Sequence, residues 1–344
     1  DLIVQRFTET GAAEAVPIAD VARAAQSGTQ ASEPTLGWDR FVELARERGA
    51  GLVLTGATYL DGETLRLQES LVDTATGDLI YSFEPVAVAR ETSVEGIETL
   101  RERVLAAVAA HVNPDINIAV TRPPSSYEAF QSFQLSLELF GSNWSECIAH
   151  GRRALEIDPE FHFARYMLIF AYLNTGDRAM VEQEISAAEK YLNQMTPYDR
   201  TCIRYTKAAF KRDLEAAASA LRHMLELWPH SFDARYDLAY RMIYLNRPGE
   251  AVEVLEPIVF SLDRSRMGAP WWPLTQMTTA LHMLGDYERE LEYANLGLDR
   301  FPDVGVIHLA KARALAAMGL AGDAKQVIDA CLPIRLRDEG ATLG

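Results

Sequence analysis

Cysteine is scarce in this chain. The 344 residues hold three, Cys147, Cys202 and Cys331, far apart and with no CxxC pair. Cys147 and His150 have no second pair to complete a zinc site. The three thiols are expected as buried packing residues. None of the seven histidines stands three or four residues from another, so no helical metal clamp is expected. Basic residues are also short: 33 Lys+Arg against 49 Asp+Glu give a net charge of -16. That balance argues against a nucleic-acid partner, which needs a basic face. No apolar run approaches the roughly 18 residues of a membrane-crossing helix. The phosphate-binding loop, the G-x-G-x-x-G turn and the G-x-S-x-G elbow are all missing. No cofactor, no metal and no catalytic residue is therefore expected. The carboxylates, including Glu182/Glu184 and Glu288/Glu290/Glu292, read as solvated helix faces.

What the chain does have is a ladder. Cys147, Val181, Ala217, Ala251, Glu290 and Ala324 stand 34, 36, 34, 39 and 34 residues apart. Five residues ahead run Ser142, Gly176, Arg212, Asn246, Gly285 and Gly319. Twelve behind run Pro159, Asn193, Pro229, Asp263, Pro302 and Leu336. Small residues, turn formers and prolines at fixed offsets with a period near 34 mark a helical-hairpin repeat. Residues 126–344 resemble tetratricopeptide (TPR) repeats, with six hairpins at Ser126–Asp158, Glu160–Leu192, Pro197–Trp228, Ser231–Leu262, Pro270–Arg300 and Asp303–Ile334. Val181 and Glu290 depart from the small-residue rule. The 39-residue step predicts an insertion from Leu262 to Pro270 beside Trp271-Trp272.

Before the proline-rich tract at 116–125 the pattern is mixed α/β. A helix is expected from Trp38 to Arg48, then strands over Gly51–Leu60, Thr64–Val72 and Leu79–Phe83, forming an antiparallel meander. Leu65, Leu67 and Leu71 would share a face of the middle strand. Val94–Val112 reads as an amphipathic helix with Ile97, Leu100, Val104, Val108 and Val112 inward. A helix over Asp1–Thr10, a strand over Val16–Ala22 and a loop over Gln26–Pro34 complete the expectation. The Gly49-Ala50-Gly51-Leu52-Val53-Leu54-Thr55-Gly56 strand, the Asp61-Gly62 turn and Leu71-Val72-Asp73-Thr74-Ala75-Thr76-Gly77-Asp78 resemble the TolB amino-terminal-like domain. The resemblance covers residues 1–115, and the family's opening strand would precede Asp1. Such domains lead into helical repeats in bacterial signalling proteins linked to kinases, cyclases or winged-helix domains. The fold expected is thus an α/β domain followed by an all-α superhelical solenoid.

Solenoids of this kind present a concave wall to their partners. In register with the ladder, Tyr166, Phe170, Tyr236, Tyr240, Tyr244, Trp272 and Arg313 are expected on it. Tyr, Trp and Arg are the residue types enriched at binding hot spots. The resemblance and the ladder together imply a non-enzymatic sensor or regulatory module that binds a protein or peptide. The alternative is a permanent scaffold subunit of a larger assembly.

Overall fold

The computed structural model describes residues 38–113, 116–118, 120–259 and 271–341. The elements expected over 1–34 and the insertion at 262–270 lie outside the described residues. Two compact units divide the chain, 1–136 with 148–168, and 137–147 with 169–344.

In the first unit, helix α1 (Trp38–Glu47) leads into strands β1 (Leu52–Asp61), β2 (Thr64–Asp73), β3 (Leu79–Ser82) and β4 (Val86–Ala89). β1 pairs along the whole of β2, Leu52 opposite Asp73 and Asp61 opposite Thr64. The other edge of β2 is shared by β3 at Ser70–Val72 and by β4 at Thr64–Leu67. β4 was not expected, since four residues directly after Glu84-Pro85 are too few to show a period. The Asp73–Asp78 turn is built by its own side chains. Asp73 accepts from the Ala75 and Thr76 amides, and Gly77 takes the left-handed conformation, φ 79°. Arg46 on α1 donates to the Thr74 carbonyl, while the Thr74 hydroxyl donates to Ala50 O at 2.6 Å. Leu67 and Leu71 are buried on the covered face of β2.

That face is covered by α2 (Ser93–His111), which is buried through Leu100, Val104 and Val108. Val112, expected on the same stripe, lies just past the helix end and is 60% exposed. Gly96 sets the approach of α2 to β4, because a Cβ there would meet Val88 Cγ2 at 2.7 Å. Gly56 on β1 is tighter still: its Cβ would collide with the Gln68 carbonyl oxygen, backbone that cannot swing aside. Gly56→Ala should therefore cost about 3 kcal/mol, as overpacking does. Urea unfolding of the variant checks this, and an unchanged midpoint contradicts it.

The first unit continues past the linker. Arg122 pairs with Glu160, the Ser125 amide donates to Asp158 Oδ2 at 2.6 Å, and the Tyr127 amide donates to Glu102 Oε2 of α2 at 3.3 Å. His162 lies in the same cluster. Burial, with Arg122 and Arg165 adding, pushes its imidazole down to about 4, while Asp158 opposes. A lowered histidine is neutral in the folded state and takes its proton on unfolding. Its contribution is full above about pH 6.5 and is lost as pH falls towards 4. Allowing for partial solvent screening, the change is about 2 kcal/mol. His162→Leu should flatten the stability–pH curve over that window. Equal slopes for parent and variant in pH-dependent urea unfolding would contradict it.

From Tyr127 on, the regular elements among the described residues are all helices. The pairs are α3 (Tyr127–Glu138) and α4 (Trp144–Ile157), α5 (His162–Thr175) and α6 (Arg178–Glu189), α7 (Pro197–Phe210) and α8 (Leu214–Leu227). They are followed by α9 (Phe232–Tyr244) and α10 (Pro248–Val259), α11 (Trp272–Leu284) and α12 (Tyr287–Arg300), and α13 (Gly305–Ala317) and α14 (Ala321–Ala341). Among the described residues these twelve helices lie within the six expected segments, except that the last helix runs past Ile334. All six ladder residues are buried, from 0% exposure at Ala251 and Glu290 to 5% at Ala324. The turn ladder is equally physical. Gly176, Arg212, Asn246, Gly285 and Gly319 all have φ between 57° and 82°. The first hairpin differs: Gly141, with φ 82°, makes that turn in place of Ser142. A left-handed residue there ends one helix so the next can fold back. The next helix is then capped, Asp177 accepting from Met180 N, Asp213 from Ala216 N and Asp286 from Arg289 N.

Candidate functional site

In the second unit, α9, α11 and α13 are the first helices of three successive hairpins, and they pack side by side. Each also packs on its own second helix, so these three form one layer and α10, α12 and α14 the other. The ladder register places Asp233, Tyr236, Tyr240 and Tyr244 of α9 in one row. Trp272, Thr275, Thr279 and Met283 follow on α11, then Val306, Leu309, Arg313 and Ala317 on α13. Spacings of three and four keep each row on one helix face. Tyr240, Tyr244, Met283, Val306 and Leu309 are among the large apolar side chains left exposed, Tyr244 most of all at 62%.

The expected groove residues divide by environment. Tyr240 and Tyr244 stand together in the open, ring centroids 4.6 Å apart. Tyr236 and Trp272 are half-buried and stack at 6.0 Å, which ties α9 to α11. Burial pushes the Tyr236 phenol up to about 12, Asp237 adding and Gln276 opposing. Phe170 stacks on Tyr205 at 5.4 Å. Tyr166 is 3% exposed and packs against Phe163, so its ring is interior. Arg313 does not face a groove unattended. Its Nε donates to Glu290 Oε1 at 2.7 Å and its Nη2 to the Thr278 carbonyl at 3.0 Å.

Glu290 corrects the sequence expectation most plainly. Expected on a solvated face, it is 0% exposed, its second oxygen held by His282 Nδ1 at 2.7 Å. The side chains of His282 and Arg313 satisfy a carboxylate where four of the other five hairpins place a small residue and one places Val181. Glu184, also assigned to solvent, is 8% exposed.

Beneath the open tyrosines lies a polar knot that sequence reasoning missed. Arg241 Nη2 donates to the Tyr205 hydroxyl at 3.1 Å, and its guanidinium sits 5.2 Å from the Tyr240 ring. The Tyr205 hydroxyl in turn bonds Asp237. Desolvation raises the Asp237 carboxyl, with Arg241 and the Tyr205 hydrogen bond opposing. Burial also pushes the Tyr205 phenol well up. Asp237 and Arg241 stand four apart on one helix, the local signal that would have found them. Beside this knot a cavity of about 400 Å³ opens, lined by Ala209, Arg212, Asp213, Leu214, Ala217, Tyr240, Arg241 and Tyr244.

Among the described residues no group of three His, Cys, Asp or Glu side chains could hold a metal. No described helix is long and apolar enough to cross a membrane. The three cysteines are free and buried.

No protein-family model matches the chain, and no curated protein matches it. Solved structures do. A tetratricopeptide repeat protein from Parabacteroides merdae is similar with TM-score 0.40 and 14% identity, over 59% of this chain and 80% of that one. MamA from Desulfovibrio magneticus is similar with TM-score 0.36 and 13% identity, over 62% and 97%. The TPR2AB domain of yeast Sti1, in a pHSP90 complex, gives TM-score 0.27 and 13% identity, over 62% and 93%. These likenesses are too distant to bear on what this chain binds.

Proposed function

We propose that this chain is a non-enzymatic binding module whose repeat array receives a protein or peptide segment along α9, α11 and α13. The observation that carries the reading is the row of exposed apolar side chains on those three adjoining helices. Tyr240, Tyr244, Met283, Val306 and Leu309 share it in a chain of net charge -16. An exposed apolar stretch rimmed by polar residues marks an interaction surface. The polar knot of Tyr205, Asp237 and Arg241 holds the Tyr240 end of the row in place, so little ordering is left to occur on binding.

The resemblance of residues 1–115 to the TolB amino-terminal-like domain, ahead of the repeats, is what supports the finer reading, a sensor or regulatory part of a bacterial signalling protein. Selection of displayed peptides against the full chain tests the binding reading. Selected peptides should compete with one another and lose affinity for a chain altered in the tyrosine pair. Peptides indifferent to that change would overturn it.

A further inference from the structure

The cavity beside Tyr240 and Tyr244 has a chemistry more particular than the row it adjoins. Its walls are apolar or aromatic at Ala209, Leu214, Ala217, Tyr240 and Tyr244. Its volume of about 400 Å³ lies within the usual range for a ligand pocket, roughly 300–1,000 Å³. Three charged groups line it, and two are already engaged. Asp213 accepts from the Ala216 amide and caps α8. Arg241 is held by the Tyr205 hydroxyl and faces Asp237. The third is Arg212, whose exposed side chain makes no hydrogen bond or ion pair among the described residues.

Arg212 is also costly where it stands. It takes φ 58° at a turn position filled elsewhere by glycine or asparagine. An L-residue with this long side chain rarely adopts that conformation. The fold of the turn therefore does not account for an arginine, whereas a guanidinium at the mouth of an apolar cavity does something there that glycine cannot. Guanidinium groups pair with carboxylates through parallel hydrogen bonds.

We infer that this cavity takes a bulky apolar side chain of the bound segment, and that an Asp or Glu beside that side chain pairs with Arg212. The inference rests on the groove reading and specifies the partner's chemistry: an apolar anchor flanked by acid, in a segment that the chain's overall negative charge would otherwise disfavour.

The test uses the full chain and 12-residue peptides selected on it by display. The selected peptides should share a large apolar residue next to Asp or Glu. Replacing the acid by alanine should weaken binding to the parent about tenfold. Against Arg212→Gly the same replacement should matter less than about twofold, since the partner group is gone. Arg212→Lys should restore part of the preference. Glycine is the residue of four other turns, so Arg212→Gly should fold at least as stably as the parent. Peptides without acid, or an equal loss on both backgrounds, overturn the inference. The groove reading then survives only if the Tyr240→Ala, Tyr244→Ala chain still binds the peptides more weakly. Affinity indifferent to the tyrosines, or no selected peptide, overturns both.

Discussion

Arg313→Ala should lower the stability of the repeat array by about 3–5 kcal/mol, and adding Glu290→Ala should return much of that loss. Glu290 is 0% exposed, and its Oε1 is held by Arg313 across the α12–α13 packing. Removing the guanidinium leaves a carboxylate away from water with only His282 Nδ1 against it. A buried charge that loses its partner is among the few single changes able to cost this much. Removing both ends restores what the ladder has at Ala217, Ala251 and Ala324, a small residue where two helices meet. Equilibrium urea unfolding of the two single variants and the double checks the sign. A double variant less stable than Arg313→Ala would contradict this account of Glu290, and so would a single variant as stable as the parent.

The second large effect is on binding. Tyr240→Ala with Tyr244→Ala should weaken a bound peptide by about 30-fold or more, the size of a hot-spot loss. The folded state should barely notice. Tyr244 is 62% exposed and Tyr240 37%, so their truncation opens little core. Tyr236→Ala should behave differently. Its ring stacks on Trp272 between α9 and α11, so stability and affinity fall together. Calorimetry of a selected peptide, beside thermal unfolding of each variant, separates the two cases. A tyrosine-pair variant that binds as the parent does would remove the groove assignment.

The hairpins were legible because their cause is local and periodic. A left-handed turn residue recurs in all six hairpins and a small residue stands at four of the six helix crossings, and each leaves a mark in the sequence. Where a mark moved, as from Ser142 to Gly141, the period hid it, although glycine is the better residue for φ 82°. The groove was legible only as a register. Tyr166 occupies the repeat position of Tyr236 two rungs earlier, yet it is buried against Phe163 while Tyr236 is half-exposed. Position in a repeat gives direction, whereas exposure depends on what packs above it. Glu290 was misassigned for a related reason: its partners come from α11 and α13, 8 and 23 residues away, and no spacing rule within a helix joins them. In the α/β unit, Gly56 and the Asp73–Asp78 turn were visible, but β4 was too short to see.

The central claim is that the layer formed by α9, α11 and α13 is where a partner lies. Hydrogen–deuterium exchange of the full chain, with and without a selected peptide, tests it most directly. Slower exchange should appear at the exposed ends of α9, α11 and α13 and at the α7–α8 turn around Arg212. Protection confined to α10, α12 and α14, or to the β1–β2 hairpin, would contradict it.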